Sequence, residues 1–128
     1  MAPLNILHVD DEADIREVTA LSLELDPEMA VQSAVSGQDA LDILTGGYRP
    51  DVILLDVMMP DLDGPGTLER LRRLPGCEAT PVIFMTARTR KEERDAYIAL
   101  GAVSVITKPF DPMTLGAHVR DVLAESRA

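Results

Sequence analysis

Four short apolar runs, each stopped by a polar residue, constrain this chain more than anything else in it. Residues 4–9 run into Asp10 and Asp11, 52–55 into Asp56, 82–85 into Thr86, and 103–106 into Thr107 and Lys108. Runs of about 4–8 residues rich in Val, Ile and Leu, bounded this sharply, read as buried strands of a parallel sheet. In open α/β sheets the ligand site lies beyond the carboxyl ends of the strands. The pattern therefore predicts three carboxylates, a hydroxyl and an ammonium converging on one sheet edge, a set suited to a phosphoryl group.

The segments between the runs supply helices, so strand and helix alternate five times and the sheet is expected to be covered on both faces. The first helix is predicted to begin near Asp14 with Ile15, Val18, Leu21 and Leu25 on its inner side. A less hydrophobic strand at 29–34 suits a sheet edge. Ser36 reads as an N-cap with Asp39 three residues on, and Ala40, Leu41 and Leu44 form the buried stripe before Gly46-Gly47 stops the helix. Pro65 suits a first helical turn, with Leu68 and Leu71 facing inward and Pro75-Gly76 breaking the chain. A fourth helix is expected over 90–100, ending at Gly101. A fifth, from about Pro112, buries Leu115, Val119, Val122 and Leu123 at i, i+4, i+7 and i+8.

Composition narrows the function. A length of 128 residues with 46% hydrophobic content suits one globular domain, expected to span 1–128 with no output domain attached. Twenty-two acids against twelve bases give a net charge of −10, which argues against direct nucleic-acid binding. No apolar stretch approaches the ~20 residues needed to span a bilayer, and the N-terminus Met1-Ala2-Pro3-Leu4 carries no signal-peptide core. Cys77 is the single cysteine, so no internal disulfide is possible, and a cytoplasmic location is expected.

Each candidate site residue has a plainer reading. Asp10, Asp11, Glu12 and Asp14 could be an acidic helix start favoured by the dipole, which accounts well for Glu12 and Asp14. It accounts less well for Asp10 and Asp11, which follow a buried strand and crowd Asp56, because gathered carboxylates repel unless a cation is present. Hard oxygen ligands with room for water suit Mg²⁺. Asp56 could cap a turn, but a carboxylate beside a divalent cation can attack phosphorus and form an acyl phosphate. Lys108, made extended by Pro109, could be a solvated lysine or a point charge for phosphate. Thr86 is either an ordinary strand-end hydroxyl or a donor to a phosphoryl oxygen. His8 and His118 have no second ligand at metal spacing and read as structural. Asp61-Leu62-Asp63-Gly64 fails as a calcium loop, because the end positions fall on Met59 and Arg70.

In sequence order the chain resembles the response-regulator receiver domains of two-component signalling. The motifs are Ile6 to Glu12, Asp51 to Gly64 with Asp56 at its centre, Pro81 to Ala87, and Gly101-Ala102 through Lys108-Pro109-Phe110. The resemblance implies a flavodoxin-like (βα)5 three-layer sandwich whose parallel five-stranded sheet has strand order 2-1-3-4-5. It implies a phosphorylation-dependent switch in which Asp56 accepts a phosphoryl group from a histidine kinase or a histidine phosphotransfer protein. Asp11 and Asp56 are then direct Mg²⁺ ligands, Asp10 a ligand through water, and Met58 one through its backbone carbonyl. Lys108 contacts the phosphate, Thr86 moves to meet it, and the Lys108–Pro109 bond is cis. The signal passes to a downstream protein over the fourth helix, fifth strand and fifth helix, with neither a membrane nor nucleic acid bound directly. The protein is a phosphoacceptor that assists its own phosphorylation and dephosphorylation, not an enzyme.

The chain departs from that family at one place. Receivers commonly carry Tyr or Phe three residues before the lysine, and Val105 stands there, so the aromatic readout is not expected in its usual form. Met58 and Arg88 occupy positions that tune phosphate lifetime in the family; neither orients water, and slow self-dephosphorylation is expected. Two rivals differ in class. A pseudo-receiver would bind its partner without phosphorylation. An aspartate-nucleophile phosphatase would need a second Asp where Met58 stands.

Overall fold

The computed structural model describes residues 3–127; Met1 and Ala2, part of the N-terminal reading above, lie outside them. Five strands and five helices alternate: β1 (Leu4–Val9), α1 (Ala13–Leu23), β2 (Met29–Ala34), α2 (Gly37–Thr45), β3 (Val52–Asp56), α3 (Gly64–Leu71), β4 (Val82–Thr86), α4 (Lys91–Ala99), β5 (Ser104–Thr107) and α5 (Leu115–Arg127). All neighbouring strands are parallel, in the order β2-β1-β3-β4-β5. This is the flavodoxin-like α/β architecture expected from the sequence.

Both faces of the sheet are covered because the central strands β3 and β4 are buried at every position and the apolar residues of β1 and β5 face both ways. Leu7, Val9, Ile53, Leu55, Phe84 and Val105 point to one side, where Ala40, Leu41 and Leu44 of α2 and Leu68 and Leu71 of α3 pack on them. Ile6, Leu54, Ile83, Met85 and Ile106 point to the other, against Leu23 of α1 and Leu115, Val119, Val122 and Leu123 of α5. Each fully buried aliphatic side chain contributes ~1.5–3 kcal/mol relative to exposure. β3 and β4 are buried throughout, whereas β2 alternates between buried and open, as an edge strand does.

Local signals place the helices. The Ser36 hydroxyl accepts the Asp39 N–H at 3.0 Å, and the Asp39 carboxylate accepts the Val35 N–H at 2.9 Å, so the reciprocal box closes one residue early. Asp63 caps α3 by accepting the Gly66 N–H at 2.8 Å, which is the role of this acidic loop in the fold. Gly47, Gly76 and Gly101 have positive φ at the breaks after α2, α3 and α4.

Two expectations fail. In α1 the sheet-facing residues are Thr19, Ser22 and Leu23, with Ile15 half-buried; Val18, Leu21 and Leu25 are 42%, 65% and 63% exposed. The helix presents its small polar side because α5 and the segment before it crowd there, and Ser22 donates its hydroxyl to the Pro112 carbonyl. The fifth helix starts at Leu115, not Pro112. The Asp111 carbonyl first accepts the N–H groups of Thr114 and Leu115, both at 3.1 Å, in a turn that precedes the regular helix. Among the described residues no helix is long and apolar enough to cross a membrane.

Candidate functional site

Parallel register brings the four strand ends together. Asp10 follows β1, Asp56 closes β3, Thr86 closes β4 directly opposite Thr107 of β5, and Lys108 comes next. One carboxylate oxygen from each of Asp10, Asp11 and Asp56 lies within 4.8 Å of the others. Asp10 and Asp56 are buried and Asp11 is exposed, so the cluster has a dry wall and a wet mouth.

Asp10 is held from several sides. The Lys108 ammonium donates to its Oδ2 at 2.8 Å, the Glu12 N–H donates to Oδ1 at 2.9 Å, and the Arg16 guanidinium donates to its carbonyl at 2.8 Å. Lys108 also reaches Asp56 Oδ1 at 3.2 Å. Burial, together with the charge of Asp10, raises the Asp56 carboxyl above the ordinary aspartate value, against the opposing pull of Lys108 and of the Met58 N–H. Burial alone would lower Lys108, but its bond to Asp10 and the charges of Asp10 and Asp56 outweigh that and raise it.

His8, two residues before Asp10 on the same strand, is fully buried, and neither ring nitrogen has a hydrogen-bond partner. Its Nε2 is 4.0 Å from Asp10 Oδ2. Burial lowers it to about 4, opposed by Asp10 and assisted by Lys108 and Arg16, so at neutral pH it is an uncharged wall of the site.

Three carboxylates facing one ammonium leave an excess of negative charge that a small divalent cation fits. The donors are hard oxygens with access to solvent at Asp11, which is the set Mg²⁺ takes. The Met58 side chain is 64% exposed at the rim. Behind Asp56, α3 comes very close: a Cβ at Gly64 would lie 2.6 Å from the Asp56 carbonyl oxygen and 2.8 Å from Val57 Cα. Gly64 thus lets its N–H donate to the Val57 carbonyl at 3.0 Å and fixes the loop after β3.

All the residues singled out from the sequence, Asp10, Asp11, Asp56, Met58, Thr86 and Lys108, border this edge, and Lys108–Pro109 is cis. Two contacts had no clear sequence signal: the Arg16 clamp on Asp10, and a bond in which the Arg88 N–H donates to Thr86 Oγ1 at 3.0 Å. Val105 is buried opposite Phe84 of β4, and that ring packs edge-on against Tyr97 of α4 with centroids 5.3 Å apart.

The family model for the response regulator receiver domain matches residues 6–120. Response regulator Rre1 of Synechocystis is 36% identical over 126 residues, 98% of this chain and 54% of the relative. The protein-glutamate methylesterase/protein-glutamine glutaminase of Symbiobacterium thermophilum is 41% identical over 125 residues, 94% of this chain and 33% of the relative. The chain thus spans about half and a third of the length of these two proteins. Among solved structures, the chemotaxis protein CheY4 of Vibrio cholerae superposes with a TM-score of 0.85 at 32% identity, covering 94% of this chain and 99% of that one.

Proposed function

The chain belongs to the response regulator receiver domain family of two-component signalling, whose members work with histidine kinases and downstream effectors, and on that premise we propose that Asp56 is its phosphoacceptor. The observation that carries the reading is the buried Asp56 carboxylate held 3.2 Å from Lys108 within a three-carboxylate cluster. An Asp56 oxygen attacks the phosphorus of a phosphohistidine on a kinase or phosphotransfer protein. The P–N bond breaks, its electron pair returns to the imidazole, and an acyl phosphate forms.

Asp11 and Asp56 directly, Asp10 through water and Met58 through its carbonyl are the groups that would hold Mg²⁺. When bound, the ion offsets the negative charge shared by the carboxylate and the incoming phosphoryl oxygens. Lys108 provides the second positive charge, already poised between Asp10 and Asp56. Asp10 positions that ammonium, and His8 stays neutral and excludes water from the inner wall.

Phosphorylation adds about −1.5 to −2 charges at this edge. Lys108 and the Thr86 hydroxyl are drawn to the phosphoryl oxygens, and the loops after β3 and β4 follow. Moving an equilibrium from about 1:99 to 99:1 takes ~5.5 kcal/mol. Two charge-assisted hydrogen bonds at ~1.5–3 kcal/mol each supply roughly that, without an aromatic at Val105. The protein acts as a phosphoacceptor assisting its own phosphorylation and dephosphorylation, with no free substrate turned over. A cytoplasmic location goes with this reading, and the free, buried thiol of Cys77 fits a reducing compartment.

Intact mass after incubation with Mg²⁺ and acetyl phosphate tests it. One labile phosphoryl adduct is expected, absent from Asp56→Asn and from samples in EDTA. No adduct with this donor or with a phosphohistidine protein would leave the pseudo-receiver reading in its place.

A further inference from the structure

The resting fold leaves His8 unused. The residue is fully buried, and neither ring nitrogen has a hydrogen-bond partner. Alternation along β1 sets it on the face of Ile6, the side covered by α1 and α5. Its neighbours across the sheet are Ser33 and Leu54, and the ring bonds to neither. A buried imidazole N–H without an acceptor destabilises the state that holds it, because its hydration is lost and not replaced. An aliphatic side chain in the same wall would carry no such cost. The ring therefore favours any second state in which it finds an acceptor.

An acceptor is already close. His8 Nε2 lies 4.0 Å from Asp10 Oδ2, on a carboxylate that is also fully buried. That gap is too long for a hydrogen bond, and closing it to the ordinary N–H···O range takes a movement of about 1 Å. Asp10 Oδ2 is held instead by the Lys108 ammonium at 2.8 Å. Other donors around Asp10 are engaged at different atoms, the Glu12 N–H at Oδ1 and the Arg16 guanidinium at the carbonyl. His8 is thus a reserve donor for the oxygen that Lys108 occupies.

Lys108 has a second destination. It bridges the two carboxylates, 3.2 Å from Asp56 Oδ1, and in the function proposed above it is drawn to the phosphoryl oxygens once Asp56 carries them. Its departure strips a buried carboxylate oxygen of a charged donor and clears the space beside that oxygen. We propose that His8 then donates its Nε2–H to Asp10 Oδ2, acting as a positioning residue for the phosphorylated state, a role that rests on the phosphoacceptor reading. The ring stays neutral with its proton on Nε2, and no proton changes owner. The new bond keeps the Asp10 carboxylate in place while Lys108 serves the phosphoryl group. Because the ring is unsatisfied before the exchange and satisfied after it, His8 biases the equilibrium toward the phosphorylated arrangement.

Long-range ¹H–¹⁵N NMR of the His8 ring reads the exchange, in the resting protein with Mg²⁺ and after saturation with beryllofluoride, a phosphoryl analogue. The Nε2–H proton is expected to move downfield in the second state, with Nδ1 unprotonated in both. Lys108→Met is expected to show the same ring signature at rest, because its Asp10 has already lost the ammonium. His8→Leu is expected to weaken beryllofluoride binding about tenfold by calorimetry, the size of one charge-assisted hydrogen bond, and His8→Gln, which keeps a donor, to recover part of it. Intact mass of the wild type after acetyl phosphate reports the Asp56 adduct separately. An adduct together with ring signals unmoved by beryllofluoride and by Lys108→Met overturns the inference and leaves the phosphoacceptor reading intact. Two protonated ring nitrogens in the beryllofluoride state overturn it as well, as does beryllofluoride binding by His8→Leu within about twofold of wild type. No adduct on the wild type overturns the phosphoacceptor reading and the exchange with it, even where Lys108→Met shows the ring signature.

Discussion

Replacing Lys108 with Met tests the electrostatic account of the site, because methionine keeps the length of the apolar stem and removes only the charge. Asp10 is fully buried and takes a 2.8 Å bond from the ammonium, while Asp56 is paired to it at 3.2 Å. Without the ammonium, two buried carboxylates remain in one cluster with only N–H donors to offset them. Breaking a buried ion pair costs ~3–5 kcal/mol; Lys108 keeps 17% of its side chain in water, so ~2–3 kcal/mol is the expected loss here. The chain has no Trp, so the assay is urea unfolding followed by far-UV circular dichroism, at neutral pH in EDTA. Two further readings check the cause. Saturating Mg²⁺ should narrow the gap between variant and parent, since the ion replaces the missing charge. Acidification should narrow it as well. The Asp56 carboxyl is already raised in the folded protein, so its proton binds more tightly there than in the unfolded chain, and protonation relieves the repulsion. A gap below ~1 kcal/mol in EDTA, or one indifferent to both Mg²⁺ and acid, refutes the reasoning.

Two other outcomes follow from neighbours of the cluster. His8 is neutral when folded, with a value of about 4 against 6.5 for an unperturbed histidine. Below pH ~6.5 the unfolded chain therefore binds a proton the folded chain does not, and stability falls with acid until about pH 4; between about pH 7 and 5 the loss is ~2 kcal/mol. Urea titrations of His8→Leu should lack that slope, and an unchanged slope would assign it to other groups. Gly64→Ala sets a methyl against the Asp56 carbonyl and Val57 Cα. Overpacking against backbone is expected to cost ~2–3 kcal/mol and to slow formation of the Asp56 adduct, by urea melts and time-resolved intact mass; wild-type values in both would mean α3 can retreat freely.

What could be read from the chain in advance, and what could not, divides along the range of the interactions. The strands were legible because a buried parallel strand is a nearly continuous apolar run, and β1 occupies the run expected at 4–9. Ser36 and Pro65 act within one turn of themselves, so their roles were legible too; Asp63, read only as part of a failed calcium loop, caps α3. The inner face of α1 was not. Its apolar spacing points to Val18, Leu21 and Leu25, but its orientation depends on α5 and on Pro112, 90 positions from Ser22. The beginning of α5 was missed for a smaller reason, a turn on Asp111 that only the backbone hydrogen bonds reveal.

The same division runs through the site. Strand ends announce Asp10, Asp56, Thr86 and Lys108, because topology must bring them to one edge whatever the loops do. The pairing of Lys108 with Asp10 spans 98 positions and needs the folded chain. So does the difference between an arginine that is spent and one that is free. The sequence lists twelve bases without ranking them. Only tertiary partners assign Arg72 to the carbonyls of Cys77 and Thr80 and leave Arg88, Arg90 and Arg94 beside open recesses. The candidate site is written in residues that must converge, whereas the free charge of the surface is what folding leaves over. The first is therefore readable from order along the chain, and the second requires knowing which cations the fold has already used.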